Sequence, residues 1–314
     1  MNINIRFSII IPSHNRGYII KECINSIITQ TYNNFELIIV DDHSKDNTKE
    51  IINNINDSRI RYINLENRNG AQAARNEGIK NAKYDWICFN DSDDFWINNK
   101  LEINKYFLEL NHYNKNIVYY NDCFIYNESK NEKTLWNLPK IDYNNSYISL
   151  LKNPGPTFPG LLFHKELIIK CGLLDESVPS FQEWDTSLVL AKNGGSFIHI
   201  KEPLFIYNLH SGETISKDIT RDFNGYQYII DKYKDDILKH TNINIWKNHL
   251  KSQYKKLLNN NLINSKLNDI TQQYIKSLLL SINIYLLENN KNIFYKYLLK
   301  IKNKIKIKKY LLKK

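Results

Sequence analysis

Cysteine is scarce in this chain. There are four cysteines in 314 residues, and they lie far apart without a CxxC pair. Such spacing gives no sign of a disulfide framework or a zinc motif. Cys23 and Cys88 fall within apolar-patterned segments. We therefore expect reduced, buried thiols in a cytoplasmic protein.

Long apolar runs are also missing. No stretch reaches the roughly 18 residues that a membrane-spanning helix needs. The longest candidate, Leu278 to Leu287, is interrupted by Asn283. The N-terminal run IRFSIII is too short for a signal peptide and continues directly into Pro12. The sequence thus predicts a soluble chain without a leader, although peripheral contact with the inner face of the cell membrane stays open.

Arginine is sparse relative to lysine, and the basic charge is unevenly placed. Net charge is +10, and residues 291–314 contain ten lysines and no acids. A nucleic-acid-binding protein more often spreads Arg and Lys over a folded face, so we expect no nucleic-acid partner. Beyond Gly225 the chain has no Gly or Pro, and Leu, Ile and Tyr recur at helical spacing. This pattern predicts a helical, Lys-rich C-terminal region over 217–314.

The lysine-rich end permits two interpretations. Six apolar residues can share one face of a helix with lysines opposite: Phe294, Tyr297, Leu298, Ile301, Ile305 and Leu312. Such a helix either packs on the C-terminal bundle or lies as a basic amphipathic helix on an anionic membrane surface.

Strands and helices alternate through the first hundred residues. Continuous apolar runs predict buried strands at 6–11, 35–40, 60–65 and 86–89. Helical patterns lie between them at 19–29, 46–56 and 71–82. This alternation predicts βαβ units and an α/β, doubly wound sheet. Further on, we expect a strand at 117–126, a helix at 183–192, a strand at 196–200 and then the segment PLFIYNLH.

Three acids end the fourth predicted strand, in the segment ICFNDSDDFW (87–96). Asp91, Asp93 and Asp94 repel one another, and a divalent cation such as Mg2+ or Mn2+ is the simplest compensation. Because Mg2+ fills its remaining positions with water and phosphate, the cluster suggests a phosphorylated substrate. A capped turn is the alternative. An EF-hand interpretation fails, because Trp96 stands where that loop needs glycine.

A second strand, at 35–40, also ends in acids, Asp41 and Asp42. Taken alone, this pair favours a loop with a helix cap, because Ser44 and Asp46 precede the next predicted helix. Two acid-tipped strands place four or five carboxylates on one sheet edge, where ligands bind in doubly wound folds. Neither GxGxxG nor GxxxxGK[ST] is present, so a nucleotide would be held by a metal and side chains. Arg75, in AARNEG, can supply a cation near a pyrophosphate, although an arginine on a helix surface is equally consistent with that sequence.

Five ordered blocks resemble the glycosyltransferases of family 2, which have the GT-A fold. They are IIIPSHNRGYI (9–19), FELIIVDDHSKDNT (35–48), NGAQAARNEGI (69–79), DWICFNDSDDFW (85–96) and GLLDES…FQEWDTSLVLA (172–191). His14 stands where the family usually has Tyr, and Asn90 where it has Leu. The resemblance covers about residues 5–216. It implies a GT-A-type doubly wound mixed sheet, with a Rossmann-like nucleotide-binding half at 1–98, an acceptor and catalytic half at 99–216, and a helical C-terminal extension.

The resemblance also implies ligands. A UDP-sugar would bind the residues that match the family's donor site: Pro12, His14, Asn15, Arg16, Asp42, Arg75, Asp91 and Ser92. Asp42 would accept a hydrogen bond from the uracil. Asp93, Asp91 and His210 would hold Mg2+ or Mn2+. His210 could instead approach the pyrophosphate, and a structural role for this lone histidine is the alternative. His210 lies in YNLHSGETIS, which resembles the family's R-x-H-x-x-S segment except that Asn208 replaces the Arg. Asp94 is expected to cap a helix that begins near Trp96.

For catalysis, the resemblance places the general base at Glu183 in QEWD, with Asp185 as the nearest competitor. The alternative for both is an acidic first turn that stabilises a helix. The loop 153–160 and His164 are expected on the acceptor side. The implied function is inverting sugar transfer to a hydroxyl of a glycan or lipid-linked acceptor in surface polysaccharide synthesis, which favours membrane contact for the C-terminus.

Two other functions fit parts of this pattern. A catalytically silent GT-A-like module that binds a nucleotide or glycan would need no base at Glu183. A sugar nucleotidyltransferase would share the metal and the fold style, but it needs a Gly-rich N-terminal loop that PSHNRG does not supply.

Overall fold

The structure is a computed structural model that describes residues 4–210, 212, 218–250 and 252. The strands have these bounds: β1 Phe7–Ser13, β2 Phe35–Asp41, β3 Ile60–Asn64, β4 Trp86–Phe89, β5 Phe95–Trp96, β6 Ile117–Asn127, β7 Glu132–Trp136, β8 Leu162–His164 and β9 Ser196–Leu209. The helices have these bounds: α1 Ile20–Ile28, α2 Thr48–Asn53, α3 Ala71–Asn81, α4 Lys100–Leu110, α5 Ser146–Lys152, α6 Lys165–Lys170, α7 Gln182–Lys192, α8 Ile219–Lys232 and α9 Lys234–His240.

One mixed sheet joins the strands of the described residues, in the order β3-β2-β1-β4-β8-β6-β9-β5, and β7 pairs with β6. The pairs β3-β2, β2-β1 and β1-β4 are parallel. β8 is antiparallel to both β4 and β6, whereas β6 and β9 run parallel. The predicted doubly wound mixed sheet is therefore confirmed, with the parallel half formed by the first ninety residues.

The apolar runs form strands because helices cover both faces of the sheet. Every residue of β1 and β2 is buried. Ile9 and Ile11 pack with α1, whereas Ile10 packs in the second apolar cluster with Ala74 and Ile79 of α3. Each such isoleucine removes enough apolar surface from water to contribute about 1.5–3 kcal/mol. The two clusters hold the strand ends, and hence any site built on them, in a rigid frame.

The prediction of a helix beginning near Trp96 is wrong. Phe95 and Trp96 form the short strand β5, which pairs with Ile206 and Phe205 of β9. The next helix, α4, begins only at Lys100. Sequence periodicity could not show this pairing, because the partner strand lies more than a hundred residues away in the chain.

The strand predicted at 196–200 and the segment PLFIYNLH are one strand, β9. It pairs with β6 along its length, and the register shifts near Asn121 and Asp122 of β6. This irregularity lets one strand bend past Pro203 without ending. As a result, β9 continues unbroken to Leu209 and brings His210, the next residue, to the site.

The described part of the predicted C-terminal region is helical. Tyr226, Ile229 and Ile230 of α8 are buried in the same apolar cluster as Trp184 of α7. The domain boundary at 216/217 stays a prediction, and the lysine-rich segment 291–314 lies outside the described residues. Among the described residues, no helix has the length and apolar character needed to cross a membrane. The four cysteines are unpaired, and Cys23, Cys88 and Cys123 are buried as expected.

Candidate active site

A cleft of about 1460 Å³ opens at the carboxyl ends of β1, β2 and β4. Most of the residues predicted for the site line it: Pro12, His14, Asn15, Arg16, Asp42, Arg75, Asp91, Ser92, Asp93 and Glu183. Parallel strands bring these residues together because their carboxyl ends share one edge of the sheet. Residues from all five sequence blocks thereby meet in one cavity, with Glu183 supplied by α7.

Hydrogen bonds between backbone amides and side-chain oxygens join the loop after β1 to the loop after β2 and the start of α2. The Asn15 amide donates to Ser44 Oγ at 2.8 Å, and the Arg16 amide donates to Thr48 Oγ1 at 2.8 Å. Asn15 Oδ1 accepts from the Lys45 amide at 2.8 Å. Asn15 has a φ of 51°, a left-handed conformation that asparagine tolerates. These bonds hold His14 and Arg16 at the mouth of the cleft.

Asp42 and His14 form one wall of the cleft. His14 Nδ1 lies 2.7 Å from the carbonyl oxygen of Asp42, so the ring is held against β2. The Asp42 carboxylate accepts from the amides of Asn69 and Gly70 at 2.6 and 2.9 Å. Gly70 has a φ of 93°, which favours glycine and lets its amide face the carboxylate. Each oxygen of Asp42 keeps a second lone pair for a ligand.

Arg75 links three parts of the site from a buried position on α3. Its guanidinium donates to Asp91 Oδ1 at 2.6 Å and to Gln182 Oε1 at 3.2 Å. The guanidinium carbon lies 3.8 Å from the ring centre of Phe158. Burial raises the pKa of Asp91, and the Arg75 charge opposes that rise. Arg75 therefore places a fixed positive charge between the acid cluster and the start of α7.

Asp93 and His210 lie together although 117 residues separate them. His210 Nε2 is 3.0 Å from Asp93 Oδ2, and Arg16 is 3.4 Å from the same oxygen. His210 lines a smaller adjoining cavity with Tyr18 rather than the main cleft. Asp91, the third predicted metal ligand, instead faces Arg75. Within the described residues, no three His, Cys, Asp or Glu side chains converge on one metal position.

Asp94 does not cap a helix. It is 1% exposed, and its Oδ1 accepts from the amide of Asn208 at 2.9 Å. Burial raises the pKa of Asp94 well above its usual range, and the neighbouring carboxylates Asp93 and Asp91 add to the rise. By fixing the backbone of β9 at Asn208, Asp94 places His210, two residues further on, beside Asp93.

Glu183 occupies the first turn of α7 and faces the cleft while half-buried. Phe181, at the helix boundary, has a left-handed φ of 58°, which is uncommon for a bulky residue and is maintained by the surrounding packing. Burial raises the pKa of Glu183, the charge on Asp91 adds to the rise, and Arg75 opposes it. A carboxylate with a raised pKa is a stronger proton acceptor than an ordinary glutamate.

Asp185 lies outside the cleft. It is 1% exposed and pairs with Lys232 at 2.8 Å and with the hydroxyl of Tyr233 at 2.9 Å, on the far side of α7. Its position on α7 differs from that of Glu183 by two residues, which on a helix points the side chains in nearly opposite directions. The geometry gives Asp185 a structural ion pair between α7 and α8.

Of the residues predicted on the acceptor side, the loop 153–160 reaches the cleft through Thr157 and Phe158. His164 does not, so that prediction is wrong. It is buried, accepts from the amide of Glu166 at the start of α6, and packs edge-on against Trp86. Its contacts hold the start of α6 against β4, and it is not among the residues that line the cleft.

Residues 8–172 match the sequence profile described as Glycosyl transferase family 2. An uncharacterised glycosyltransferase of Haemophilus influenzae is 30% identical over 241 residues, which cover 76% of this chain and 80% of that protein. This chain belongs to glycosyltransferase family 2.

Other relatives of this family 2 chain have assigned activities. The UDP-Glc:alpha-D-GlcNAc-diphosphoundecaprenol beta-1,3-glucosyltransferase WfgD of Escherichia coli is 42% identical over 149 residues, 47% of this chain and 56% of that protein. The chain spans about half or less of the length of the first curated relatives it matches. The crystal structure of Staphylococcus aureus TarS 1-349 in complex with UDP-GlcNAc has a TM-score of 0.58 at 18% identity, covering 87% of this chain and 88% of that one. This likeness confirms the GT-A fold.

Sequence reasoning missed part of the family 2 cleft. Its lining also includes Ile125, Trp136 and Tyr207, from β6, β7 and β9. These three residues lie outside the five blocks that resemble the family. The strands in that part of the sequence were predicted only coarsely. The apolar run at 123–126 was the available signal, but such a run does not reveal which face of the strand meets a cavity.

Proposed function

We propose that this chain transfers a sugar from a UDP-sugar to a hydroxyl of a glycan acceptor, with inversion at the anomeric carbon. The observation that carries the proposal is the position of Glu183. Its carboxylate lines the same cleft as the acid-tipped strands and Arg75, and burial raises its pKa. A binding module has no need of a proton acceptor at that point.

The donor is assigned to the end of the cleft formed by β1, β2 and β4. The flat ring of His14 and the ordered Asp42 carboxylate suit a pyrimidine base, since a carboxylate oxygen can accept from the base N–H. Arg16 and Arg75 supply positive charge for the diphosphate, close to Asp93 and Asp91 respectively. Related proteins support UDP, since TarS has been crystallised in complex with UDP-GlcNAc and WfgD is a UDP-Glc-dependent glucosyltransferase.

A divalent cation is assigned to Asp93 and His210. Mg2+ and Mn2+ take one or two carboxylates and complete their coordination with water and substrate phosphates, so a full cage of protein ligands is not required. A carboxylate beside an imidazole fits this partial donor set. A bound ion would supply positive charge for the diphosphate leaving group. Asp91, held by Arg75, is left to face the donor.

Glu183 is assigned the role of general base. It accepts the proton of the acceptor hydroxyl as that oxygen forms its bond to the anomeric carbon, and the bond from that carbon to the UDP oxygen breaks. A single in-line displacement inverts the anomeric configuration. Positioned general bases contribute about 10²- to 10⁴-fold to rates. Gln182 and Arg75 hold the start of α7 in place for this step.

The acceptor is assigned to lipid-linked precursors of surface polysaccharide. Support comes from the names of the E. coli relatives WfgD and WfaP, which specify alpha-D-GlcNAc-diphosphoundecaprenol. Such an acceptor places the reaction at the inner face of the cell membrane. Contact through residues 291–314 stays a prediction. Loss of those residues should then weaken flotation with anionic liposomes.

The variant Glu183→Gln tests the proposal. We expect it to bind UDP as the wild type does, because the change keeps shape and lies outside the uridine pocket. Its transfer rate should fall by about 100-fold or more, since an amide cannot accept the proton. UDP binding by calorimetry and sugar transfer with a panel of UDP-sugars and diphosphate-linked acceptors are the measurements.

The pH profile gives an independent readout. Because burial raises the pKa of Glu183 above its ordinary value of 4.5, the wild-type rate should fall as pH drops through that raised value, where the base becomes protonated. Asp185→Asn is the matched control on α7: it should lower stability and leave that profile in place. Transfer by Glu183→Gln at the wild-type rate would contradict the assignment. UDP binding without transfer by the wild type would favour a silent binding module.

A further inference from the structure

One wall of the cleft is apolar, unlike the charged end at β1, β2 and β4. It is formed by Ile125, Trp136 and Tyr207, one residue from each of three adjacent strands. Ile125 pairs directly with Tyr207, and Trp136 pairs with Cys123, two residues before Ile125. Paired residues and residues two apart share one face of a sheet, so all three side chains lie on the face that lines the cleft.

The two rings of this wall are fixed relative to each other. The centres of Trp136 and Tyr207 are 6.3 Å apart, and their planes meet at 72°. Both residues are only half-buried, and both line the cleft. The indole N–H of Trp136 donates to no residue in the described part of the chain. The wall thus offers aromatic surface together with a hydrogen-bond donor.

The cleft has room for more than one ligand. Its volume is about 1460 Å³, whereas a pocket for one small molecule measures roughly 300–1,000 Å³. In the strand order, β8 separates the donor end at β1, β2 and β4 from the strands β6, β7 and β9. The wall therefore lies at the part of the cleft that a nucleotide at Asp42 leaves open.

A short turn, Phe158–Gly160, connects this wall to the start of α7. Phe158 stacks on Arg75, which donates to Gln182, the neighbour of Glu183. At the other end of the turn, a Cβ on Gly160 would lie 3.2 Å from the carbonyl oxygen of Asn121 on β6. The turn therefore lies between the start of α7 and the strands of the wall. A ligand that packs on the wall would occupy the same cleft as Glu183.

We propose that Ile125, Trp136 and Tyr207 form the subsite for the acceptor, and that its occupant is a pyranose ring. The apolar C–H face of a pyranose packs on aromatic rings, and its rim of hydroxyls matches a polar cleft with a free indole donor. A lipid tail would instead need a wider apolar surface. The subsite orients one sugar hydroxyl towards Glu183, and this assignment rests on the proposed function.

Trp136→Ala tests the subsite, with Trp136→Phe as a conservative variant. Leu135→Ala is the matched control, because Leu135 directly precedes Trp136 in β7, faces the opposite side of the sheet and is 53% exposed. The probes are methyl glycosides of glucose, galactose and N-acetylglucosamine. Their binding to the full chain with UDP and Mn2+ is followed by saturation-transfer NMR. Transfer kinetics use the acceptor that the wild type accepts.

We expect Trp136→Ala to weaken binding of at least one glycoside, and to raise the acceptor KM, by about tenfold. For Trp136→Phe, glycoside affinity and acceptor KM should lie between those of the wild type and Trp136→Ala. Leu135→Ala should match the wild type in both quantities. UDP affinity should be unchanged in all three variants. Equal glycoside binding by the wild type and Trp136→Ala overturns the proposal, as does a wild type that binds none of the glycosides. Weaker binding of UDP-glucose with unchanged UDP binding assigns the wall to the donor sugar and also overturns it.

Failure of the proposed function has a different signature. A wild type that neither binds UDP nor transfers sugar removes the enzyme assignment. Glycoside binding that depends on Trp136 would then identify a sugar-binding module.

Discussion

Lys100, the first residue of α4, is completely buried against the sheet, where a charged lysine is uncommon. Its ammonium donates to Asn121 Oδ1 at 2.6 Å and lies 5.2 Å from the ring centre of Trp96. No carboxylate pairs with it among the described residues. Burial lowers the pKa of Lys100 to about 8. Its hydrogen bond to Asn121 links α4 to the irregular part of β6. Burial of the charged ammonium costs desolvation free energy.

This burial predicts a stability that depends on pH. Between about pH 8 and the ordinary lysine pKa of 10.5, the unfolded chain binds a proton that the folded chain does not. The contribution of Lys100 to the free energy of unfolding should therefore rise with pH across this window, by about 3 kcal/mol. Lys100→Met should lack that rise when the two proteins are compared by urea unfolding at several pH values.

The exposed Lys140→Met serves as the control and should keep the wild-type pH dependence. Only the difference between wild type and Lys100→Met is diagnostic, because tyrosines and cysteines also titrate at high pH. Parallel pH curves for these two proteins would show that Lys100 is charged in the folded state throughout the range.

At the scale of elements, α8 braces the segment that leads into α7. A Cβ on Gly225 would lie 2.6 Å from the backbone nitrogen and oxygen of Ser180. Arg221 donates to the carbonyl oxygen of Pro179 at 2.7 Å. Ser180 directly precedes Phe181, the left-handed residue before Glu183. The close approach of α8 therefore helps to set the position of Glu183, the residue that we propose as the general base.

Gly225→Ala should displace this segment. The added methyl meets backbone atoms that cannot move aside as a flexible side chain does. We expect kcat for sugar transfer to fall by about tenfold or more, because small misplacements of reacting groups are costly. UDP affinity should be unchanged, since Asp42 and His14 lie on other elements. Steady-state kinetics and calorimetry measure the two effects.

Asn224→Ala is the neighbouring control, because Asn224 is exposed on the same helix. It should leave both quantities as in the wild type. If Gly225→Ala folds and transfers sugar at the wild-type rate, α8 has no part in positioning Glu183. If its UDP affinity falls as well, the substitution acts through general unfolding of the site.

At the scale of the whole molecule, ligand binding should stabilise the fold, because the cleft joins both halves of the sheet. A ligand that binds only the folded state adds about 2.7 kcal/mol at a hundred times its Kd. We expect UDP to raise the melting temperature and Mn2+ to enlarge the rise. Asp93→Asn should keep the effect of UDP alone and lose the part that depends on Mn2+.

Asp231→Asn, an exposed acid on α8, controls for the loss of one charge. It should respond to UDP and Mn2+ as the wild type does. A wild type whose UDP-induced shift is indifferent to Mn2+ would remove the cation from the proposal. It would leave Arg16 and Arg75 as the charges that face the diphosphate.

Much of the parallel half could be predicted from sequence. Buried strands of a parallel sheet need continuous apolar runs, and acids at their ends mark the site edge, so β1, β2 and β4 were predicted with nearly their observed bounds. The antiparallel and mixed half could not be predicted as well. Strands such as β5 and β8 are only two or three residues long and carry no periodicity of their own.

The sequence by itself determined the family, the α/β alternation and the identity of the acids at the strand ends, because these depend on local pattern. Tertiary structure decided which role each acid can have. Asp93 contacts His210, and Asp94 accepts a hydrogen bond from the backbone of β9. Asp185 pairs with Lys232, whereas Glu183 lines the cleft. Those outcomes depend on contacts between segments that are far apart in the chain. The apolar wall at Trp136 arises for the same reason, since three strands must pair before it exists.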